Sequence, residues 1–220
     1  TEIYTLSLHD ALPILCMLLS LCVLCLCTGC KKSNATNTAK TELVLGTVCT
    51  VNVFEDASAA LYKDIFARLF AIDSVFNTND PTSEISRINA YAANTVTEVS
   101  EDFAIVMEAT LAFAEKTDGA FDPSIGALVA LWNIQGTEPR VPSFAEIEKA
   151  KEFVDWKKIR FDTDKKTIFF EKPGIRLDLG GIAKGYAADE IAHLLKNRNV
   201  QRAIIDLGGN IYVFGSKKDG

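Results

Sequence analysis

The amino-acid sequence predicts an α+β fold, in which helices pack against a mixed or antiparallel sheet. Helix-like and strand-like segments alternate irregularly along the 220 residues, and three short strand-like segments follow one another in the second half. The composition, 48% hydrophobic and 24% charged, is typical of a globular protein with one sizeable core. A net charge of -6 without any basic stripe argues against a nucleic-acid partner.

The N-terminal region has the composition of an export and anchoring segment. Residues 1–10 lack an initiator Met and a basic n-region, so we interpret them as a non-native leader. Residues 11–30 are apolar and end in small residues before Cys30, which resembles a bacterial lipoprotein signal. Cleavage before Cys30 would leave a lipidated, extracytoplasmic protein on the bacterial cell membrane, tethered through the polar residues 31–41. An uncleaved membrane anchor is the alternative.

The periodicity of apolar residues predicts the elements in chain order. Apolar residues at three- and four-residue steps indicate helices, and alternating apolar residues indicate strands. Strands are predicted over residues 41–54, 158–162, 167–171, 174–179 and 203–214, the last interrupted by a glycine turn. Helices are predicted over residues 57–76, 102–116, 125–132, about 144–154 and 182–197. Thr82 or Ser83 is expected to cap a further short helix, and Ser143 with Glu146 to form a capping box.

The junction between the strand ending at Leu179 and the following helix is the strongest candidate site. It combines Asp178, the pair Gly180-Gly181 and Lys184. The glycines allow a ligand to approach the backbone closely, and the first helical turn offers unpaired N–H groups to an anion. A lysine in that first turn opposes the helix dipole and therefore needs a negative partner, such as a phosphate. A tight turn with a solvated lysine is the alternative.

The residues after the tether disfavour several other chemistries. Cys49 and His193 are the only cysteine and histidine in residues 42–220, so disulfide, zinc, thiol and Ser-His chemistry are not expected. The glycines at 180–185 do not fit a dinucleotide-binding fingerprint. Residues 205–210 resemble the phosphate loop of sugar kinases, although that loop normally opens a domain. Asp122 is either a simple cap before Pro123 or a second polar group aimed at the site.

The residues from Asp178 to Asp189 resemble the signature of the FAD:protein FMN transferase (ApbE) family of exported flavin transferases. Other stretches agree in order along residues 42–220. They are Leu45-Gly46-Thr47, Phe76 to Asn89, Gly119-Ala120-Phe121-Asp122-Pro123 with Leu131-Trp132, and Gly208-Gly209-Asn210. The resemblance implies a T-fold-like α+β domain, of which residues 42–220 would be the N-terminal two-thirds.

The resemblance also implies an activity. FAD would be the substrate, Mg²⁺ would neutralise charge on its diphosphate, and AMP would leave as FMN passes to a Thr hydroxyl of an acceptor flavoprotein. The physical requirement is that the diphosphate loses negative charge before a hydroxyl attacks it, which a divalent metal and a lysine supply.

Matched position by position, the resemblance assigns roles to individual residues. Asp178 and Lys184 would be catalytic and would contact FAD, and the backbone carbonyl of Gly181 would be a metal ligand. The remaining metal ligands, an Asp and a nearby Asp or Thr, are expected downstream of residue 220, which would leave the metal site within this chain incomplete. The other implied FAD contacts are Leu45, Asn79, Ala120, Phe121 and Asp122.

Two positions depart from the family pattern and leave alternatives open. Leu45 stands where a methionine is common, and Asn79 stands where an aromatic residue is common. Without the aromatic ring a stacking surface for FAD is lost, so hydrolysis of FAD to FMN and AMP is an alternative to transfer. A non-enzymatic flavin-binding lipoprotein is a third possibility.

Overall fold

The computed structural model describes residues 39–55, 57–134 and 136–216. The predicted leader over residues 1–10, the lipoprotein segment over residues 11–30 and the tether up to residue 38 lie outside these ranges. Within the described ranges, no helix combines the length and the hydropathy that crossing a membrane would require.

Helices and antiparallel strands together build the α+β fold that the sequence predicts. The strands are Lys40–Val44 (β1), Thr47–Val53 (β2), Thr97–Glu98 (β3), Ile159–Asp162 (β4), Thr167–Phe170 (β5), Ala203–Leu207 (β6) and Asn210–Phe214 (β7). The helices are Ala59–Phe76 (α1), Glu84–Tyr91 (α2), Glu101–Lys116 (α3), Gly126–Trp132 (α4), Phe144–Lys151 (α5) and Gly180–Asn197 (α6). A short 3-10 helix precedes β4 at Trp156–Lys158.

Two antiparallel sheets share one hydrophobic core. The larger sheet has the order β1-β2-β6-β7, and the smaller has the order β3-β5-β4. Helices α1 and α6 pack against each other and against the larger sheet, because each presents a buried apolar face to it. Alternate residues of β2 and β6 point into the same core. The fully buried side chains include Cys49, Val51, Ile65, Leu69, Ile72, Phe170, Ile191 and Ile205.

The single strand predicted over residues 41–54 is wrong, because a hairpin turn divides it. Val44 pairs with Thr47, and Leu45 and Gly46 form the turn between them with φ values of 56° and 65°. Two consecutive positive φ values give the turn geometry that matches strand twist in a two-residue hairpin. Such a φ is uncommon for a bulky residue, so local backbone strain is concentrated at Leu45.

The strand predicted over residues 174–179 is also wrong, because this extended segment joins neither sheet. Its ladder contact is an isolated parallel bridge between Arg176 and Ile125. The backbone is satisfied by other groups: Gly126 N–H donates to Arg176 O at 3.1 Å, and Asp178 N–H donates to Pro123 O at 2.9 Å. The alternation of Ile175, Leu177 and Leu179 reflects burial of these three side chains rather than sheet pairing.

Helix ends agree with the predicted caps, with one correction at α6. Ser83 accepts a hydrogen bond from Ser86 N–H and caps α2, and Ser143 and Glu146 form the predicted capping box of α5. Helix α6 begins at Gly180, two residues before the predicted start. Lys184 therefore lies in the second helical turn and not in the first, because the first turn already begins at Gly180.

Candidate functional site

One cavity of about 680 Å³ opens at the junction of β1, α1, α4 and α6. Both charged and apolar side chains line it, as is common for sites that bind a polar ligand with an aromatic ring. Its acidic and basic lining residues are Asp73, Asp178, Arg176 and Lys184. The remaining lining residues are Leu45, Gly46, Phe76, Asn77, Thr78, Asn79, Asn89, Gly126, Val129, Ala130, Asn133, Ile134, Leu177, Gly180 and Ala183.

The cavity brings together predicted site residues that are far apart in the sequence. Leu45 lines it from the β1–β2 turn, Asn79 from the loop after α1, and Asp178 and Lys184 from the α6 junction. Asn79 is exposed, whereas Leu45, Asp178 and Lys184 are half-buried. Gly181, the predicted metal ligand, occupies the exposed first turn of α6 beside this group.

Asp178 is held in place by the backbone on both sides of it. Its Oδ1 accepts a hydrogen bond from Gly180 N–H at 2.9 Å, and its own N–H donates to Pro123 O. The preceding residue, Leu177, is bound by Asn89, whose Nδ2 donates to Leu177 O at 3.1 Å and whose Oδ1 accepts Leu177 N–H at 2.7 Å. The orientation of the Asp178 carboxylate therefore depends on contacts from three separate segments.

The polar residues of the loop between α1 and α2 stabilise local structure. Asp80 Oδ1 accepts from Thr82 N–H at 2.8 Å, and the buried Ser83 hydroxyl donates to Asn77 O at 2.7 Å. Glu84 Oε1 accepts from Ser100 N–H at 2.6 Å, which ties α2 to the start of α3. This loop is thus largely a scaffold that positions neighbouring residues at the cavity.

Helix α6, which carries Lys184, is fixed to α1 and α3 by a network of ionic hydrogen bonds. Arg68 donates to both carboxylate oxygens of Asp102, at 2.6 and 2.7 Å, and to Glu190 at 2.7 Å. Tyr186 of α6 donates its hydroxyl to Asp102 at 2.6 Å. The hydrogen bond from Arg68 lowers the pKa of Asp102, and burial together with Asp102 raises the pKa of Tyr186.

The predicted flavin contacts at Ala120, Phe121 and Asp122 do not line this cavity. Asp122 acts within its own loop: Oδ1 accepts from Ser124 N–H at 2.8 Å, and Oδ2 accepts from Trp156 N–H at 3.1 Å. Both carboxylate oxygens of Asp122 are therefore engaged in structural contacts, but Asp122 does not cap α4, whose N-cap residue is Ile125 without a side-chain cap. Phe121 lies nearer the site, since its ring edge is 3.0 Å from where a Cβ on Gly181 would stand.

The cavity contains charged residues that the sequence analysis did not select. Arg176 is exposed and lines the cavity. It stands between the buried residues Ile175 and Leu177, and this alternation in the sequence indicates that its side chain points outward. Asp73 faces the cavity from α1 and accepts a hydrogen bond from Asn77 Nδ2 at 3.2 Å. Nothing in the local pattern around Asp73 marks it, because only the fold brings α1 to the α6 junction.

The side chains available for chemistry are oxygen donors and cations rather than thiols. Burial, with the negative charge of Asp206 as the second cause, raises the pKa of Cys49 to about 11, so this thiol stays protonated. In the part of the chain that the structure describes, no three His, Cys, Asp or Glu side chains gather as a metal cluster. The Asp178 carboxylate and the Gly181 carbonyl are nevertheless oxygen donors of the kind that Mg²⁺ prefers.

The fold and cavity define an α+β domain in which a helix junction carrying Asp178 and Lys184 lies beside a mixed polar and apolar pocket. The family model described as ApbE family matches residues 45–220. The chain therefore belongs to the ApbE family.

Named relatives agree with this membership. A FAD:protein FMN transferase from Treponema pallidum is 33% identical over 206 residues, which cover 89% of this chain and 57% of the relative. A FAD:protein FMN transferase from Klebsiella pneumoniae is 31% identical over 156 residues, which cover 71% of this chain and 49% of the relative. The chain thus spans about half the length of these relatives.

Solved structures confirm the fold. The flavin transferase ApbE from Vibrio cholerae superposes with a TM-score of 0.76 at 25% identity, covering 83% of this chain and 60% of that one. The ApbE protein from Thermotoga maritima gives a TM-score of 0.75 at 32% identity, covering 82% of this chain and 59% of that one. The predicted α+β class and the predicted family are confirmed by these similarities.

Proposed function

We propose that this protein transfers FMN from FAD to a Thr hydroxyl of an acceptor flavoprotein and releases AMP. The observation that carries the proposal is the meeting of Leu45, Asn79, Asp178 and Lys184 at one cavity, although the sequence separates them widely. The names of the relatives, FAD:protein FMN transferase, support the same reaction class.

The charges of the cavity suit a dinucleotide diphosphate. The Lys184 ammonium and the Arg176 guanidinium both line it and supply positive charge for the phosphate oxygens. The N-terminal end of α6, which begins at Gly180, adds the positive end of the helix dipole beside these two cations. Leu45, Phe76 and Val129 provide the apolar surface that an isoalloxazine or adenine ring would contact.

Mg²⁺ fits this site as part of a ternary complex. Asp178 and the carbonyl of Gly181 would hold the ion, and a bound Mg²⁺ would stabilise negative charge on the diphosphate. Because Mg²⁺ commonly takes one or two carboxylates together with substrate phosphates and waters, the diphosphate of FAD would supply further ligands, in addition to those expected downstream of residue 220.

The transfer step has a simple atom balance. The acceptor hydroxyl oxygen forms a bond to the phosphorus of the FMN moiety, and the bond from that phosphorus to the bridging oxygen breaks. AMP leaves with the bridging oxygen, and the hydroxyl proton passes to solvent. In this step Lys184 offsets the charge that develops on the phosphoryl oxygens, while Asp178, fixed by Gly180 N–H, orients the nucleotide.

The experiment that tests this function separates transfer from cleavage. The protein is incubated with FAD, Mg²⁺ and a purified acceptor flavoprotein, and covalent flavin is read by in-gel fluorescence while AMP is measured by chromatography. Transfer predicts equal amounts of labelled acceptor and AMP. Absence of label with every divalent metal tried would contradict it.

Hydrolysis of FAD to FMN and AMP is the second candidate function, and Asn79 favours it. Asn79 is exposed at the cavity and presents an amide where a stacking ring would hold the flavin. AMP release at the same rate with and without acceptor would favour hydrolysis. An Asn79→Tyr variant that shifts the balance toward labelled acceptor would support the role of this position.

We further propose that Cys30 carries a lipid that anchors the protein to the extracytoplasmic face of a bacterial membrane. Small residues before Cys30 and the polar stretch after it support this assignment. Metabolic labelling with a palmitate analogue should mark the wild type and leave a Cys30→Ser variant unlabelled. Equal labelling of both would contradict the assignment.

A further inference from the structure

A second groove, of about 440 Å³, lies between β1 and α1. Its walls are largely apolar, and Phe70 is 48% exposed there. Lys40 and Lys63 stand in the same groove with Glu42, so its charge is net positive in a chain whose net charge is -6. The lining residues are Lys40, Thr41, Glu42, Ala59, Tyr62, Lys63, Phe66, Ala67 and Phe70.

Strand β1 forms one wall of this groove and is an edge strand among the described residues. It pairs with β2 on one side, and the order of the larger sheet begins with it. Val44 and Thr47 close a two-residue hairpin and are therefore a hydrogen-bonded pair. Because bonded and non-bonded pairs alternate, the N–H and C=O groups of Thr41 and Leu43 point away from β2, toward the open edge.

The inward side of β1 leaves part of the aromatic surface of α1 uncovered. Lys40 and Glu42 share the inward face with Val44, which is buried, but both of them are exposed. A further strand beside β1 would place alternate side chains over Phe66 and Phe70, which is the geometry of strand addition to a sheet edge.

The edge of β1 leads directly to the candidate active site. Val44 is followed by Leu45 and Gly46, which line the cavity with Lys184. At about 3.4 Å per residue, the groove residue Glu42 lies about 10 Å along the strand from Leu45. An extended polypeptide paired with β1 would therefore run toward the FAD cavity.

We propose that the edge of β1, which is unpaired among the described residues, and the adjoining groove bind an extended segment of the acceptor protein by strand addition. The segment would place apolar side chains over Phe66 and Phe70 and acidic side chains near Lys40 and Lys63. Neither lysine forms an ion pair within the described part of the chain. The identity of the partner as the acceptor rests on the proposed transfer function, whereas the strand addition itself does not.

Peptide binding to the full-length chain tests the strand addition without FAD. The probe is a fluorescein-labelled peptide of about nine residues that alternates valine and threonine, with aspartate at both ends. Fluorescence anisotropy measures its affinity, and hydrogen exchange measures protection of the Thr41 and Leu43 amides. The expected result is binding with protection of these two amides.

Matched variants separate backbone pairing from side-chain effects. Both Thr41→Pro and Thr41→Val remove the hydrogen bond between the Thr41 and Thr50 hydroxyls, whose oxygens are 2.9 Å apart. Only Thr41→Pro also removes the backbone N–H at the edge of β1. Thr41→Pro should weaken peptide binding on the order of tenfold, and Thr41→Val should not. Phe70→Glu should weaken it similarly, whereas Ile105→Glu, at a 45% exposed position outside the groove, should not.

Several outcomes would overturn the proposal. The first is no peptide binding at millimolar concentration, and the second is equal peptide affinity of the wild type and Thr41→Pro. The third is a wild-type dimer in sedimentation that Thr41→Pro abolishes, because a second copy of the chain would then occupy the edge of β1. In the transfer assay, Thr41→Pro should raise the KM for acceptor about tenfold and leave AMP release from FAD alone unchanged. Peptide binding without any transfer would instead refute only the proposed function.

Discussion

The carboxamide of Asn89 forms both backbone hydrogen bonds of Leu177, donating to its carbonyl at 3.1 Å and accepting its N–H at 2.7 Å. The Asn89 side chain thus forms the two backbone hydrogen bonds that a neighbouring strand would otherwise form with Leu177, the residue before Asp178. Leu177 is 1% exposed, so its polar backbone groups depend on this amide. The contact joins helix α2 to the junction that opens α6.

Asn89→Ala should therefore destabilise the fold and disturb the site. Two buried backbone groups would lose their partners, which costs about 1–3 kcal/mol for each group left unsatisfied. Thermal unfolding should show a clear fall in Tm, and FAD affinity should fall with it. Asn94→Ala, at an exposed position, is the control and should change neither value. Equal Tm values for wild type and Asn89→Ala would show that Asn89 does not hold this segment.

Substitution of two glycines should have opposite effects. A Cβ on Gly126 would stand 2.7 Å from Arg176 O and 2.8 Å from Leu177 O, so Gly126→Ala must push α4 away from the Asp178 segment. A Cβ on Gly185 meets nothing within 4 Å, and alanine favours the helix there by about 0.5–1 kcal/mol. Chemical denaturation should show Gly185→Ala stabilised and Gly126→Ala destabilised. The reverse order would contradict the described packing.

The contribution of Asp102 to stability should depend on pH. The hydrogen bond from Arg68 lowers the pKa of Asp102 in the folded state, so this stabilisation is present above the ordinary Asp pKa of about 3.9. This stabilisation is lost as the pH falls through the lowered pKa of Asp102 in the folded state. The Tm difference between wild type and Asp102→Asn should be large at pH 7 and shrink progressively below about pH 4. Asp164→Asn, in an exposed turn, should show no such trend.

Binding of Mg²⁺ should require FAD. The described residues gather no cluster of three or more ionisable metal ligands, so this part of the site offers Mg²⁺ only Asp178 and Gly181, to which the oxygens of a diphosphate would add. Calorimetric titration of residues 42–220 with Mg²⁺ should give no heat of binding without FAD and a saturable signal with it. Saturable binding to the protein alone would contradict this arrangement.

Much of the fold was predictable because local pattern and burial agree. Helix α1 and the capping box at Ser143 follow from periodicity and from side-chain chemistry that acts over three residues. The wrong predictions concern segments whose structure depends on contacts with residues that are distant in the sequence. The alternation at Ile175, Leu177 and Leu179 predicts a strand, but whether a partner strand or an Asn side chain binds the segment depends on a residue 88 positions away.

In the candidate site, too, the residues of a local motif were predictable and those that only the fold brings together were not. Asp178 and Lys184 were selected from one short motif, where glycine, acid and lysine already indicate an anion site. Asp73 and Arg176 were missed, because their position at the cavity depends on how α1 and the extended segment meet α6. The division of residues 41–54 into a hairpin was missed because Leu45 adopts a φ of 56°, which its side chain does not favour.

The central claim is that the cavity at Asp178 and Lys184 binds the diphosphate of FAD. Fluorescence titration with FAD, and with riboflavin as a ligand that lacks the diphosphate, tests it in wild type, Lys184→Met and Lys196→Met. Lys184→Met should weaken FAD binding on the order of tenfold to a hundredfold and leave riboflavin binding unchanged, whereas Lys196→Met should bind both as the wild type does. Unchanged FAD affinity in Lys184→Met would contradict the claim.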